Sequence, residues 1–243
     1  MNALLRGELL KLRTTRTFAA LVGAALLLSL LVVCLTAAMN DSLTERDLRQ
    51  LFTTTNFSSL FILMIGVIGM AGEWRHRTIA GTILAAPDRL KLLAAKTLSY
   101  AIAGIVLAAA VTLASMTAGT LILSGRGLMT LDVGALADVL WRNLLVASLL
   151  GPLGVCVGGL LRNQVVAIVG LLVFAFALEP AILALAPHVG QFGPTVGAPN
   201  GILGDSFNNK NLLAPGYAVL VLLTWVGTGF AATAALLRRR DLL

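Results

Sequence analysis

Long apolar runs separated by short polar segments dominate the chain, at 18–38, 52–72, 97–123, 139–161, 165–186 and 213–237. A helix needs about 20 apolar residues to cross a hydrocarbon layer roughly 30 Å thick, and each run meets that length. None shows the shorter alternating pattern of a barrel strand. The pattern predicts an all-α integral membrane protein, one transmembrane domain over 1–243 with six transmembrane helices. The first run is longer than the roughly 7–15 apolar residues of a signal-peptide core, so a retained helix is expected there.

The polar segments carry further information. In 1–17, Leu4, Leu5, Leu9 and Leu12 follow helical spacing while Arg6, Lys11 and Arg13 lie off that stripe, which predicts an amphipathic helix lying on the membrane surface. Glu8 falls on the apolar side of this helix and needs a cationic partner, for which Lys11, three residues on, is the simplest candidate. Segments on alternate sides of the spans hold thirteen and five Lys or Arg residues. By the positive-inside rule the richer side is cytoplasmic, both termini are inside, and an even span count is required. Six satisfies it.

The loop between spans two and three is the most charged segment. Thr78 and Thr82 sit beside Ile79 and Ile83, an i, i+4 apolar pair, and Pro87 stops a short helix there. Asp88 is then placed to cap a new helix that carries Arg89, Lys91 and Lys96 into the third span. The segment 187–212, expected on the opposite side, is rich in Pro and Gly, and regular structure is not expected through it. It holds only Asp205 and Lys210 as charges, so it is either a solvated loop or a re-entrant segment.

Composition narrows the function. Of 243 residues, 58% are hydrophobic and 12% charged, with a mean hydropathy of +0.93, which excludes a soluble fold. The net charge of +7 sits at the ends of apolar runs, so topology accounts for it and no nucleic-acid partner is expected. No Gly-Lys pair exists to form a phosphate-cradling loop, so this chain is not expected to bind ATP or to be an enzyme. His76 and His188 fall on opposite sides of the expected topology, and no metal site is expected. Cys34 and Cys156 read as small buried side chains.

Two motifs bring in a family. Glu73-Trp74-Arg75-His76-Arg77-Thr78-Ile79, followed by Leu84-Ala85-Ala86-Pro87-Asp88-Arg89, resembles the loop between the second and third helices of type-2 ATP-binding-cassette (ABC) transporter permeases. The opening Glu8-Leu9-Leu10-Lys11-Leu12-Arg13 is similar to the amphipathic connecting helix of the same family. The resemblance implies a multi-pass permease of the cytoplasmic membrane, paired with itself or with a similar permease as homodimer or heterodimer. Separate ABC ATPase subunits would carry the ATP and Mg, and export is the implied direction. It also implies that Thr78, Ile79, Thr82, Ile83 and Ala86, with Arg89 following, form a coupling helix seated on the ATPase. An exposed apolar helix suits that contact, although packing against neighbouring loops is the other reading. Glu73, with Arg75 and Arg77, either makes a local salt bridge or joins the N-terminal helix as a mechanical link.

Polar residues inside the spans complete the candidates. Thr54, Asn56 and Ser59 open span two and could line a pathway, with close helix packing through Gly66, Gly69 and Gly72 the alternative. Gly154-x-x-x-Gly158 reads as a packing motif. Glu179 is the acid well inside a span and is followed by Pro180, which breaks the helical hydrogen-bond pattern. It is either a transport-path or gating residue or a structural anchor. Two competing classes share the topology: a non-transporting scaffold or immunity protein, and an intramembrane enzyme, for which no partner nucleophile is present.

Overall fold

The computed structural model describes residues 2–54, 56–75, 88–161, 163–204 and 212–239. Among them every regular element is a helix, and six stretches are long and apolar enough to cross a membrane, at Arg16–Met39, Glu45–Arg75, Arg89–Gly125, Val133–Leu161, Gln164–Leu185 and Pro215–Arg238. The period and length of the apolar runs thus specified the architecture, because a spanning backbone must satisfy its own hydrogen bonds.

In chain order, α1 (Asn2–Thr14) precedes the first span, α2 (Arg16–Met39). The run expected as span two divides into α3 (Glu45–Thr54) and α4 (Ser58–Arg75). The division has a local cause: the Asn56 side chain accepts from the Ser58 N–H at 3.0 Å, capping α4, and donates to Thr112 Oγ1 at 2.5 Å. The α3 helix is amphipathic, burying Leu48, Leu51 and Phe52 beneath a charged outer face.

Helix α5 (Arg89–Gly125) is a single unit of 37 residues, roughly 55 Å long at the α-helical rise, so it projects beyond any hydrocarbon layer. Asp88 caps it as expected, accepting from the N–H groups of Leu90 and Lys91 at 3.1 Å each. Helix α6 (Val133–Leu161) is the centre of the bundle and packs against α4, α5 and α11 (Pro215–Arg239). Glycine makes the α4–α6 crossing close. A Cβ on Gly66 would stand 2.5 Å from the Gly151 carbonyl, and one on Gly154 only 2.2 Å from the Leu63 carbonyl. Gly154-x-x-x-Gly158 is therefore a packing motif, and Gly66 shares that role. Gly72 differs: a Cβ there meets nothing within 4 Å.

The fifth span runs through α7 (Gln164–Val173), a π-helical turn (Phe174–Leu178) and α8 (Glu179–Leu185). Pro180 supplies the reason, since its ring clashes with the carbonyl one turn earlier, and widening the turn relieves the clash without ending the helix. Beyond it lie two short helices, α9 (Pro187–Gly190) and α10 (Gly197–Leu203). Regular structure therefore does form in this segment, contrary to the expectation from its Pro and Gly content. Pro187 and Pro199 occupy first-turn positions, where the missing N–H has no helical acceptor in any case. The glycines permit close approach: a Cβ on Gly197 would lie 2.0 Å from the Gly190 carbonyl. Helix α10 packs against α6 and α11.

Candidate functional site

At the basic end of the bundle, α4 finishes, α5 begins and α1 lies against the start of α5. Three elements here contribute four charges to one cluster. Lys96, on the second turn of α5, is only 2% exposed and donates to Glu8 Oε2 at 2.7 Å and Glu73 Oε1 at 2.9 Å. Lys11 reaches the same two carboxylates from the outside, at 2.7 Å from Glu8 Oε1 and 3.1 Å from Glu73 Oε1. Its side chain is 52% exposed. The Lys96 ammonium also lies 5.9 Å from the Tyr100 ring centroid, within cation–π range.

The stripe on α1 explains why Glu8 is in this position. Leu12 is buried on the face that packs inward, and Glu8, one turn earlier, is carried in beside it. Burial pushes the Glu8 carboxyl up, but Lys96 and Lys11 overcome that and hold it below the usual carboxylate range. Burial pulls Lys11 down, and Glu8 and Glu73 more than reverse it, so its ammonium stays protonated above the usual lysine range. An isolated charge at this depth would cost several kcal/mol, and mutual pairing offsets that cost.

The remaining candidates divide into separate settings. Arg77, Thr78, Ile79, Thr82, Ile83 and Ala86 lie outside the described residues. Arg89 donates to the Leu237 carbonyl near the end of α11, tying the start of α5 to the last helix. Arg75 donates one long hydrogen bond, 3.4 Å, to Gln164 at the start of α7. Of the proposed pathway residues, Thr54 closes α3, Asn56 is buried and committed to the α4 cap and Thr112, and Ser59 is half-buried in the first turn of α4.

Glu179 is 1% exposed and is enclosed by the backbone of the segment between α9 and α10. Its oxygens accept from the N–H groups of Thr195 (2.9 Å), Val196 (2.7 Å) and Gly197 (2.8 Å), and from the Thr195 hydroxyl. These bonds tie the fifth span to the backbone of 195–197. Gly193 is required beside it, because a Cβ there would stand 2.0 Å from Glu179 Oε1. Trp225 of α11 donates to the Phe192 carbonyl at 2.9 Å and Arg142 of α6 to the Ile202 carbonyl at 2.9 Å, fixing the same segment from two sides.

Sequence reasoning paired Glu8 with Lys11 and raised the link from Glu73 to the N-terminal helix; both are present. It carried Lys96 as a flanking charge of the loop between spans two and three and gave it no partner. The available signal was its phase on α5: Leu92, Leu93, Ser99 and Tyr100, three and four residues to either side, are all buried.

A cleft of about 560 Å³ opens beside the cluster, with Glu8, Lys11, Glu73, Arg75 and Lys96 at one end and apolar residues of α2 and α4 along its walls. Among the described residues no group of His, Cys, Asp and Glu is arranged to hold a metal ion. The cluster's chemistry is electrostatic: it ties helix ends together.

A comparison with curated proteins gives no match. The family model described as ABC-2 family transporter protein matches residues 4–178, from α1 to the π turn of the fifth span, a stretch that includes the three helices of the charge cluster. That match covers well over half of the chain, which belongs to the ABC-2 transporter family and is the membrane permease of an ABC transporter.

Proposed function

We propose that this permease couples ATP hydrolysis on separate ABC ATPase subunits to export of a solute across the cytoplasmic membrane, and that the buried charge cluster carries the motion into the bundle. One observation supports the reading above others. Glu73 precedes the 76–87 segment and Lys96 follows it, and the two are joined to each other and to α1. A force applied to the intervening segment acts on α4, α5 and α1 together, because separating them would expose or strand buried charges.

In this reading the basic end faces the cytoplasm, both termini lie there, and Thr78, Ile79, Thr82, Ile83 and Ala86 rest in a groove of the ATPase. ATP and Mg belong to that partner. Two permeases, identical or similar, enclose the pathway, and ATP-driven closure of the ATPases rocks the spans so that the pathway opens outward.

The test is co-purification of the tagged chain with its ABC ATPase from membranes, comparing wild type with Ile79→Asp plus Ile83→Asp at matched membrane levels. Loss of the ATPase from the double variant is expected. Equal recovery would remove this segment as the docking site.

A further inference from the structure

We infer that the cleft beside the charge cluster binds one anionic phospholipid per chain, with its phosphate at Lys11 and Arg75 and an acyl chain lying between α2 and α4. The two ends of the cleft differ in kind. At one end are three cations, Lys11, Arg75 and Lys96, against two carboxylates, Glu8 and Glu73. Both oxygens of Glu8 are already occupied by lysines. The unused capacity is for donation. Lys11 is half-exposed and has a third ammonium hydrogen, while among the described residues Arg75 commits one of its five guanidinium N–H groups, in one long bond. A phosphate is the complement of such donors.

At the other end Phe18 and Leu21 of α2 face Ile65 and Ile68 of α4. The volume, about 560 Å³, is in the range of ligand pockets, roughly 300–1,000 Å³. An inorganic ion would leave these walls without an apolar partner. A lipid satisfies both ends, and its tail runs along spans that already lie in the bilayer. Gly72 leaves open space at the junction of the two regions, since no atom beyond its own helix backbone and chain neighbours lies within 4 Å of where its Cβ would be. A second copy of the chain fits less well: a two-fold interface sets the same surface against itself, so an excess of positive charge would face its own image. The inference is independent of the coupling assignment, because it concerns the purified chain without its ATPase.

The experiment is native mass spectrometry of the detergent-purified chain titrated with phosphatidylglycerol or with phosphatidylcholine of identical acyl chains. Retention of one phosphatidylglycerol per chain, at least about tenfold preferred over phosphatidylcholine, is expected. Arg75→Gln should bring the two lipids close to parity. Gly72→Leu, which fills open space and leaves the charge cluster intact, should abolish retention of both; an unchanged circular dichroism spectrum of Gly72→Leu excludes misfolding as the cause, and Arg75→Gln tests the site independently. Glycerol phosphate, the headgroup without its chains, should not displace the lipid. Equal retention of the two lipids by wild type overturns the proposal, as does phosphatidylglycerol binding that survives Gly72→Leu. Displacement by glycerol phosphate alone would also overturn it, in favour of a simple phosphate site. So would a Gly72→Leu variant that loses dimers while keeping its lipid, which would assign the cleft to an interface between copies.

Discussion

Two buried acidic sites, one at each end of the bundle, are stabilised in opposite ways. At the basic end Glu8 and Glu73 are matched by the ammonium groups of Lys11 and Lys96, and the partners come from three different helices. At the other end Glu179 has no cation at hydrogen-bonding distance among the described residues; three backbone N–H groups and a hydroxyl surround it, all within 195–197. Full charges act over distance and tolerate small displacements, whereas N–H donors are directional and weaken sharply when misaligned. The first arrangement suits elements that move together under load. The second suits a segment held in one place, here the α9–α10 region against the fifth span.

The most severe way to break this comparison is to delete the shared cation. Lys96→Met removes the buried cation that both carboxylates share, and a loss of about 3–5 kcal/mol is expected, the range for a broken buried pair. A large drop in thermal midpoint in detergent, together with protease release of 2–14, would register it. A variant in which α1 stays protected would show that Leu12 and its neighbours hold the helix without the charges.

Acid attacks the same cluster without removing an atom. The Glu8 carboxyl is held below its ordinary range, so its contribution is fully present above the ordinary carboxylate pKa and disappears as the pH falls through the lowered value. Lys11 is raised, so its contribution is present below the ordinary lysine pKa and disappears only as the pH climbs through the raised value. Amide hydrogen exchange of α1 should therefore show constant protection through neutral pH and fail in strong acid. Failure already near neutrality would contradict the pairing.

The smaller effect belongs to the anion without a cation. Glu179→Gln replaces one acceptor by an NH2 group facing N–H donors, and about 1–3 kcal/mol is the expected loss. Thermal unfolding measures it, and ATPase stimulation by the permease should persist in the folded fraction. Abolished stimulation with unchanged stability would move Glu179 from anchor to gate. That outcome would also erase the contrast between the two ends.

Particular residues show how far the chain could be read in advance. The six spans, the Asp88 cap, the inward face of α1 and the Glu8–Lys11 pair all depend on spacings within one helix or on run length, and these are local. The division of span two at Asn56 was hidden because its polar residues, Thr54, Asn56 and Ser59, read equally well as the lining of a continuous span; the break is stabilised by Thr112, 56 residues away. The α9 and α10 helices were hidden for a similar reason. Their Pro and Gly content argues against helix locally, and only packing on α6, α11 and Glu179 overcomes it.

By itself the sequence determined that this protein is a helical, multi-span membrane protein, because burying a backbone in lipid leaves few solutions and the length of each apolar run chooses among them. Tertiary structure alone decided which charges meet. Lys96 is 88 residues from Glu8 and 23 from Glu73, and Glu179 is met by backbone groups of residues whose side chains gave no sign of it. Electrostatic partners are selected by distance in space, and for groups on different helices that distance is fixed only when the helices have packed.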